Sequence, residues 1–171
     1  MRRHKGIRPH DVIVLLKMSH TEDKRQQYLA DQLYMSQSEI SDSLSRSKVA
    51  LLTDSSRKNV HVNNLLEFLT YGLKYCFPCI PGRIVRGIPT SHSVPPLSEY
   101  FNSEQIYVWP DPLGEFMGQS IEPLHKNQHL AVKIDPMLYQ KLSLIDAIRL
   151  RNPRETQLAI SELNKRFSVN A

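Results

Sequence analysis

Residues Gln26 to Lys48 read QQYLADQLYMSQSEISDSLSRSK, and this stretch decides the fold of the N-terminal third. Leu29, Ala30 and Leu33 fall on one face of a short helix, Met35 fills a turn, and Ile40 and Leu44 lie four apart on the inner face of a second helix. Ser36 and Glu39 have the S-x-x-E spacing of a capping box. In that motif the serine oxygen takes a first-turn backbone N–H and the glutamate reaches back to the cap. Ala30 suits the point where two steeply crossing helices approach most closely.

Leu29, Ala30, Leu33, Ser36, Ser38, Ile40, Ser41 and Leu44 together resemble winged helix-turn-helix DNA-binding transcriptional regulators of the bacterial type. The resemblance covers roughly the first third of the chain. It departs from that pattern at Tyr34, where the family usually has glycine, so tyrosine must hold a strained backbone or reshape the turn. It departs again on the outward face of the second helix, which is mostly neutral and carries an acid.

The resemblance implies sequence-specific binding to double-stranded DNA by a homodimer, with the second helix in the major groove. Gln37, Ser38, Ser41, Asp42, Ser45 and Arg46 are then the expected base contacts. Arg46 would address guanine, Gln37 adenine and Asp42 a cytosine amino group. Lys24, Arg25, Ser36, Lys48, Arg57 and Lys58 are the expected phosphate contacts. The weakly basic outer face motivates an alternative, a protein-interaction module such as an antitoxin or adaptor that uses this unit to hold a protein partner.

Upstream, Pro9 to Met18 has a first-turn proline and an inward face of Val12, Ile13, Leu15 and Leu16, so it reads as a bracing helix. Downstream, Val49 to Val62 reads either as a short two-stranded wing with Arg57 and Lys58 at its tip or as a simple loop. Asn63 is expected to cap a helix over 64–75 whose stripe, Leu65, Leu66, Leu69 and Leu73, closes the core or forms a dimer surface.

The chain of 171 residues, 40% hydrophobic and 23% charged, is long for such a unit alone. Two regions are expected: a winged helix-turn-helix-like domain over 1–76 and an α+β region over 77–171. The class is mainly α, with a small β-hairpin and a helical hairpin in the second region. The net charge is +5 and the pI about 9.3. Residues 1–60 hold 11 Lys/Arg against 7 Asp/Glu and the remainder 11 against 10, so the excess lies with the N-terminal unit, including the basic end Arg2, Arg3 and Lys5.

No apolar run is long enough to span a bilayer and no cleavable leader is evident, which points to a cytoplasmic protein without a membrane partner. Cys76 and Cys79 form one C-F-P-C. With no second pair and no suitably spaced histidines, burial outweighs a metal or redox role.

From Phe77 to Pro96, repeated prolines and glycines exclude long helices and suggest a loop packed along the surface. Ser91, His92 and Ser93 lack an acidic partner at recognisable spacing, so turn formation outweighs catalysis. Gln105–Trp109 and Glu115–Leu124 read as two strands around the turn PDPLG, with Trp109 in the core. Asp135–Pro136 and Asn152–Pro153 open two final helices. The chain contains no phosphate-binding glycine loop, dinucleotide fingerprint, H-E-x-x-H or repeat, so neither an enzyme nor a cofactor is expected.

Overall fold

In the computed structural model, which describes residues 6–168, the chain is mainly helical with one small sheet. The basic end Arg2, Arg3 and Lys5 lies outside the described residues. Helix α1 (Pro9–Met18) begins at the first-turn proline and buries its entire length from Asp11 to Met18. Helices α2 (Gln26–Leu33) and α3 (Gln37–Val49) follow, joined by the turn at Tyr34, Met35 and Ser36. Both arms of the capping box form: Glu39 N–H donates to Ser36 Oγ at 3.2 Å and Ser36 N–H to Glu39 Oε2 at 2.8 Å.

Tyr34 makes the turn between α2 and α3 by adopting the left-handed conformation itself, φ 53° and ψ 41°. That conformation costs a non-glycine residue about 1–2 kcal/mol. Two hydrogen bonds offset it. Met35 N–H donates to Ala30 O at 3.0 Å, and Asn127 Nδ2, far along the chain, donates to Tyr34 O at 2.7 Å.

The segment after α3 is a tight loop closed by one antiparallel bridge, Thr53 to Val60. Val62 already belongs to the next helix, so of the two readings, a two-stranded wing or a simple loop, the segment is nearer the loop, closed by that single bridge. Asp54 organises the tip. Its carboxylate accepts from Ser56 Oγ, Asn59 Nδ2 and the N–H groups of Lys58 and Asn59, which holds its pKa well below the usual carboxylate range.

The stripe helix is capped at His61 rather than Asn63 and is not uniformly α-helical. It runs as α4 (Val62–Glu67), a π-helical turn (Phe68–Gly72) and α5 (Leu73–Cys76). Leu65, Leu69 and Leu73 are fully buried, while Tyr71 and Tyr75 face solvent.

The sheet differs from the expected hairpin. Strand β1 (Ile84–Thr90) lies where a surface loop was expected, and it pairs antiparallel with both β2 (Tyr107–Pro110) and β3 (Phe116–Ser120). β2 and β3 run parallel to each other, closing a three-stranded barrel. The first half of β1 serves β3 and its second half β2, with Gly87 opposite both Phe116 and Pro110. The closure is tight enough that a β-carbon at Gly87 would collide with the Trp109 carbonyl, and one at Gly114 with the Gly87 backbone.

Helix α6 (Gln128–Ile134), unanticipated from the sequence, leads into α7 (Pro136–Leu150), whose N-cap Asp135 accepts Leu138 N–H at 2.9 Å. Helix α8 (Pro153–Ser168) returns along α7 as the expected helical hairpin. α7 is the hub: Leu138 to Arg149 is buried on nearly every side, and the helix packs against α1, α5, α6, α8 and β1.

One hydrophobic cluster runs from Val12 through Leu29, Ile40, Leu69, Trp109 and Leu142 to Phe167. The regions expected at 1–76 and 77–171 therefore share a single core. Polar ties cross the expected boundary too: Lys17 Nζ donates to Asp135 Oδ2 at 2.7 Å and Lys141 Nζ to Ser19 Oγ at 2.9 Å. Among the described residues, no helix is long and apolar enough to cross a membrane.

Candidate nucleic-acid interface

The inner face of α3 is Ile40, Ser43, Leu44 and Ser47, all buried. Two of these are serines, small enough to let the helix lie close to its neighbours. The opposite face leaves Gln37, Ser38, Asp42, Ser45 and Lys48 exposed, with Ser41 half-buried between them. These residues form one continuous helical surface spaced at three and four residues. Ser45 Oγ donates to Ser41 O at 2.9 Å and accepts from Arg57 Nη1 at 3.1 Å. The loop carrying Arg57 and Lys58 is thereby held beside the C-terminal half of α3.

Arg46 departs from its expected place. Its guanidinium turns away from the outer face and forks onto Asp11, with Nε to Oδ2 at 2.8 Å and Nη2 to Oδ1 at 2.7 Å. The Asp11 side chain is 0% exposed and that of Arg46 11%. An outward Arg46 would strand a buried carboxylate, so the pairing wins over a free base-reading arginine. Arg46 Nη2 also lies 3.0 Å from His10 Nε2. Since guanidinium only donates, that imidazole nitrogen is the acceptor, and burial holds the His10 pKa below its ordinary value.

The expected phosphate contacts divide into committed and free groups. Lys24 Nζ donates to the carbonyls of Met18 and Thr21, closing the end of α1, and is unavailable to a phosphate in this arrangement. Burial pulls its pKa below the ordinary lysine value. Arg25 is exposed and forks onto Asp23, with Nη2 to Oδ2 at 2.6 Å. Ser36 is exposed but its hydroxyl already serves the capping box, donating to Glu39 Oε2 at 2.9 Å. Lys48 and Lys58 are exposed.

Behind the start of α3, His125 Nδ1 accepts Asn127 N–H at 3.2 Å, while its Nε2 stands 3.6 Å from Glu39 Oε1. Burial lowers the His125 pKa, and the hydrogen bonds from Ser36 lower that of Glu39. Sequence reasoning did not single out His10, Asp11 or His125. Their signal is purely spatial, since each meets α3 only after the chain folds back.

The other chemical candidates are bonded to the segments around them. His92 Nε2 lies 2.9 Å from Gln105 O, and its Nδ1 stands 3.2 Å from Glu155 Oε2, which raises its pKa. Ser93 Oγ accepts Tyr107 N–H at 2.9 Å, which ties it to the start of β2. Trp109 is fully buried, as expected, and its Nε1 donates to Asp146 Oδ2 at 2.6 Å. Thr90 Oγ1 and Arg149 Nη1 also donate to Asp146, each at 2.8 Å. Desolvation raises the Asp146 pKa against these partners. Cys76 is exposed and Cys79 buried, both as free thiols, and burial pushes the Cys79 pKa up.

No family model, no curated protein and no solved structure matches this chain.

Proposed function

We propose that the protein is a sequence-specific double-stranded DNA-binding protein, a transcriptional regulator of the winged helix-turn-helix kind that works as a homodimer in the cytoplasm. The observation that carries the reading is the joint exposure of Gln37, Ser38, Asp42, Ser45 and Lys48 along one face of α3, around half-buried Ser41, with Arg57 bonded to Ser45 from the adjoining loop. An α-helix fits the major groove, and short polar side chains at this spacing reach base edges. Gln37 is suited to adenine and Asp42 to a cytosine amino group; Arg46 is withdrawn from the base-reading set. Lys48, Lys58 and Arg57 supply the phosphate contacts, with Arg25 at the start of α2. The Thr53–Val60 bridge and its tip act as a minimal wing.

The second copy belongs on the apolar side chains left in solvent, foremost Tyr71 and Tyr75 on the α4–α5 helix. Retention of short random duplex at low salt, followed by fluorescence anisotropy as salt is raised, tests the reading. Binding that falls steeply with salt is expected. No retention at low salt would overturn it.

One observation favours a second reading, a protein-interaction module such as an antitoxin or adaptor. With Arg46 tied to Asp11, the outer face of α3 carries Asp42 and Lys48 as its charged groups, a balance less basic than a phosphate backbone favours. Stable co-purification of one protein partner, together with failure to bind duplex, would select this reading.

A further inference from the structure

A cleft of about 620 Å³ opens where α1 and α3 meet the C-terminal region. Glu39 from the first turn of α3 lines it, with Phe77 from the loop after α5, Pro123, His125 and Lys126 from the loop before α6, and Arg149 from α7. Arg149 is an unusual lining residue because its side chain is only 4% exposed. Its Nε donates to Phe77 O at 2.9 Å, and its Nη1 to Glu122 O at 2.9 Å and Asp146 Oδ1 at 2.8 Å. The remaining nitrogen, Nη2, makes no hydrogen bond among the described residues.

A buried guanidinium fixed by three bonds and left with one idle N–H₂ is a preorganised donor. Arginine matches the oxygens of carboxylate and phosphate groups, and Nη2 is not sealed off in the interior but open to the cleft. Lys126 brings a second, exposed cation to the same cleft. Two acids, Glu39 and Glu122, line the cleft as well. Glu39 directs one oxygen to Ser36 and the other toward His125, and Glu122 is exposed to solvent and offers Arg149 its backbone carbonyl.

We infer that this cleft is a binding site for a small oxyanion, a molecule bearing a carboxylate or phosphate group, held by Arg149 Nη2 and Lys126. Glu39 is the third residue of α3, so occupancy is felt at the start of the helix assigned to the groove. That last step, an effector role, rests on the DNA-binding reading; the binding site itself does not.

The fold supplies its own reporter. Trp109 is the only tryptophan, and it shares the Asp146 carboxylate with Arg149. The full chain is titrated with inorganic phosphate and, separately, with succinate, against sodium chloride at matched ionic strength, while Trp109 emission is followed. A saturable change with phosphate or succinate but not chloride is expected, and the active arm identifies the group. Lys126→Glu should weaken it at least tenfold without shifting the melting temperature by more than a few degrees. An identical response to chloride, no response, or full retention in Lys126→Glu would overturn the site. Duplex affinity is then measured with and without the active anion. A change of threefold or more is expected, and an unchanged affinity beside an intact fluorescence titration would overturn the effector role alone. Should the protein bind no duplex at all, the fluorescence titration still decides the site.

Discussion

Arg46 of α3 and Asp11 of α1, 35 residues apart in sequence, are joined by two hydrogen bonds of 2.7 and 2.8 Å with the carboxylate wholly out of solvent. Asp11 Oδ2 also accepts Arg8 N–H at 2.8 Å, closing the start of α1. One carboxylate therefore sets both the first turn of the bracing helix and the seating of the helix assigned to DNA.

Removing the arginine leaves that carboxylate buried and uncompensated. Arg46→Ala should destabilise the fold by about 3–5 kcal/mol, read by denaturant unfolding. Arg46→Met combined with Asp11→Leu should recover much of that loss. A stable Arg46→Ala protein whose only defect is at a few base pairs would return Arg46 to the base-reading set.

Lys48 and Lys58 are exposed cations beside the α3 surface. Each alanine variant should weaken binding on all sequences alike and lower the slope of log affinity against log salt by about 0.9, as expected for one lost phosphate contact. Lys24→Ala should leave that slope unchanged, because its ammonium is spent on the end of α1.

Asn127 Nδ2 supports the strained Tyr34 carbonyl from the C-terminal region. Asn127→Ala should cost about 1 kcal/mol, the usual worth of such a bond, and should increase amide exchange at Met35. Unchanged exchange there would mean that the turn is held by its local bonds alone.

Lys141 is fully buried, and burial pulls its pKa down to about 8, against the nearby Asp135. The unfolded chain, with a lysine value near 10.4, binds the proton more tightly, so stability should rise as pH climbs from about 8 toward 10. Lys141→Met should flatten that rise and raise stability at pH 7 by about 1–3 kcal/mol. Calorimetry across this range is the check.

The His92–Glu155 pair has the opposite sign. Glu155 raises the His92 pKa, so the pair's contribution is complete below the unfolded histidine value and is lost as pH rises through the folded one. Glu155→Gln should lower the melting temperature by a few degrees at pH 6, consistent with about 1–2 kcal/mol, and change it little at pH 8.5.

The legible parts of this chain are those whose signal is local. Pro9 to Met18, the S-x-x-E cap of α3 and the Asp135–Pro136 start of α7 carry their instructions within one or two turns, and each forms where expected. β1 was obscured by Gly87 and Pro89, residues that read as a loop until the close approach of Trp109 and Gly114 gives the glycine its purpose. α6 has neither a side-chain cap nor a long stripe to announce it. The shared core was hidden for another reason: α7 is buried almost all round while carrying Lys141, Asp146 and Arg149, whose partners lie on distant segments. At the candidate interface, the exposed set from Gln37 to Lys48 followed from helical spacing, whereas the inward turn of Arg46 depended on Asp11, a contact no periodicity contains.

Selection of bound duplexes from a random pool, repeated with Gln37→Ala, Ser38→Ala and Asp42→Ala, tests the central claim most directly. The parent protein should enrich a defined site, and each variant should lose or change preference at one or two base pairs, worth about 1–3 kcal/mol per position. A parent protein that enriches no sequence, or variants that enrich the parent's site unchanged, would contradict the assignment of α3 to the groove.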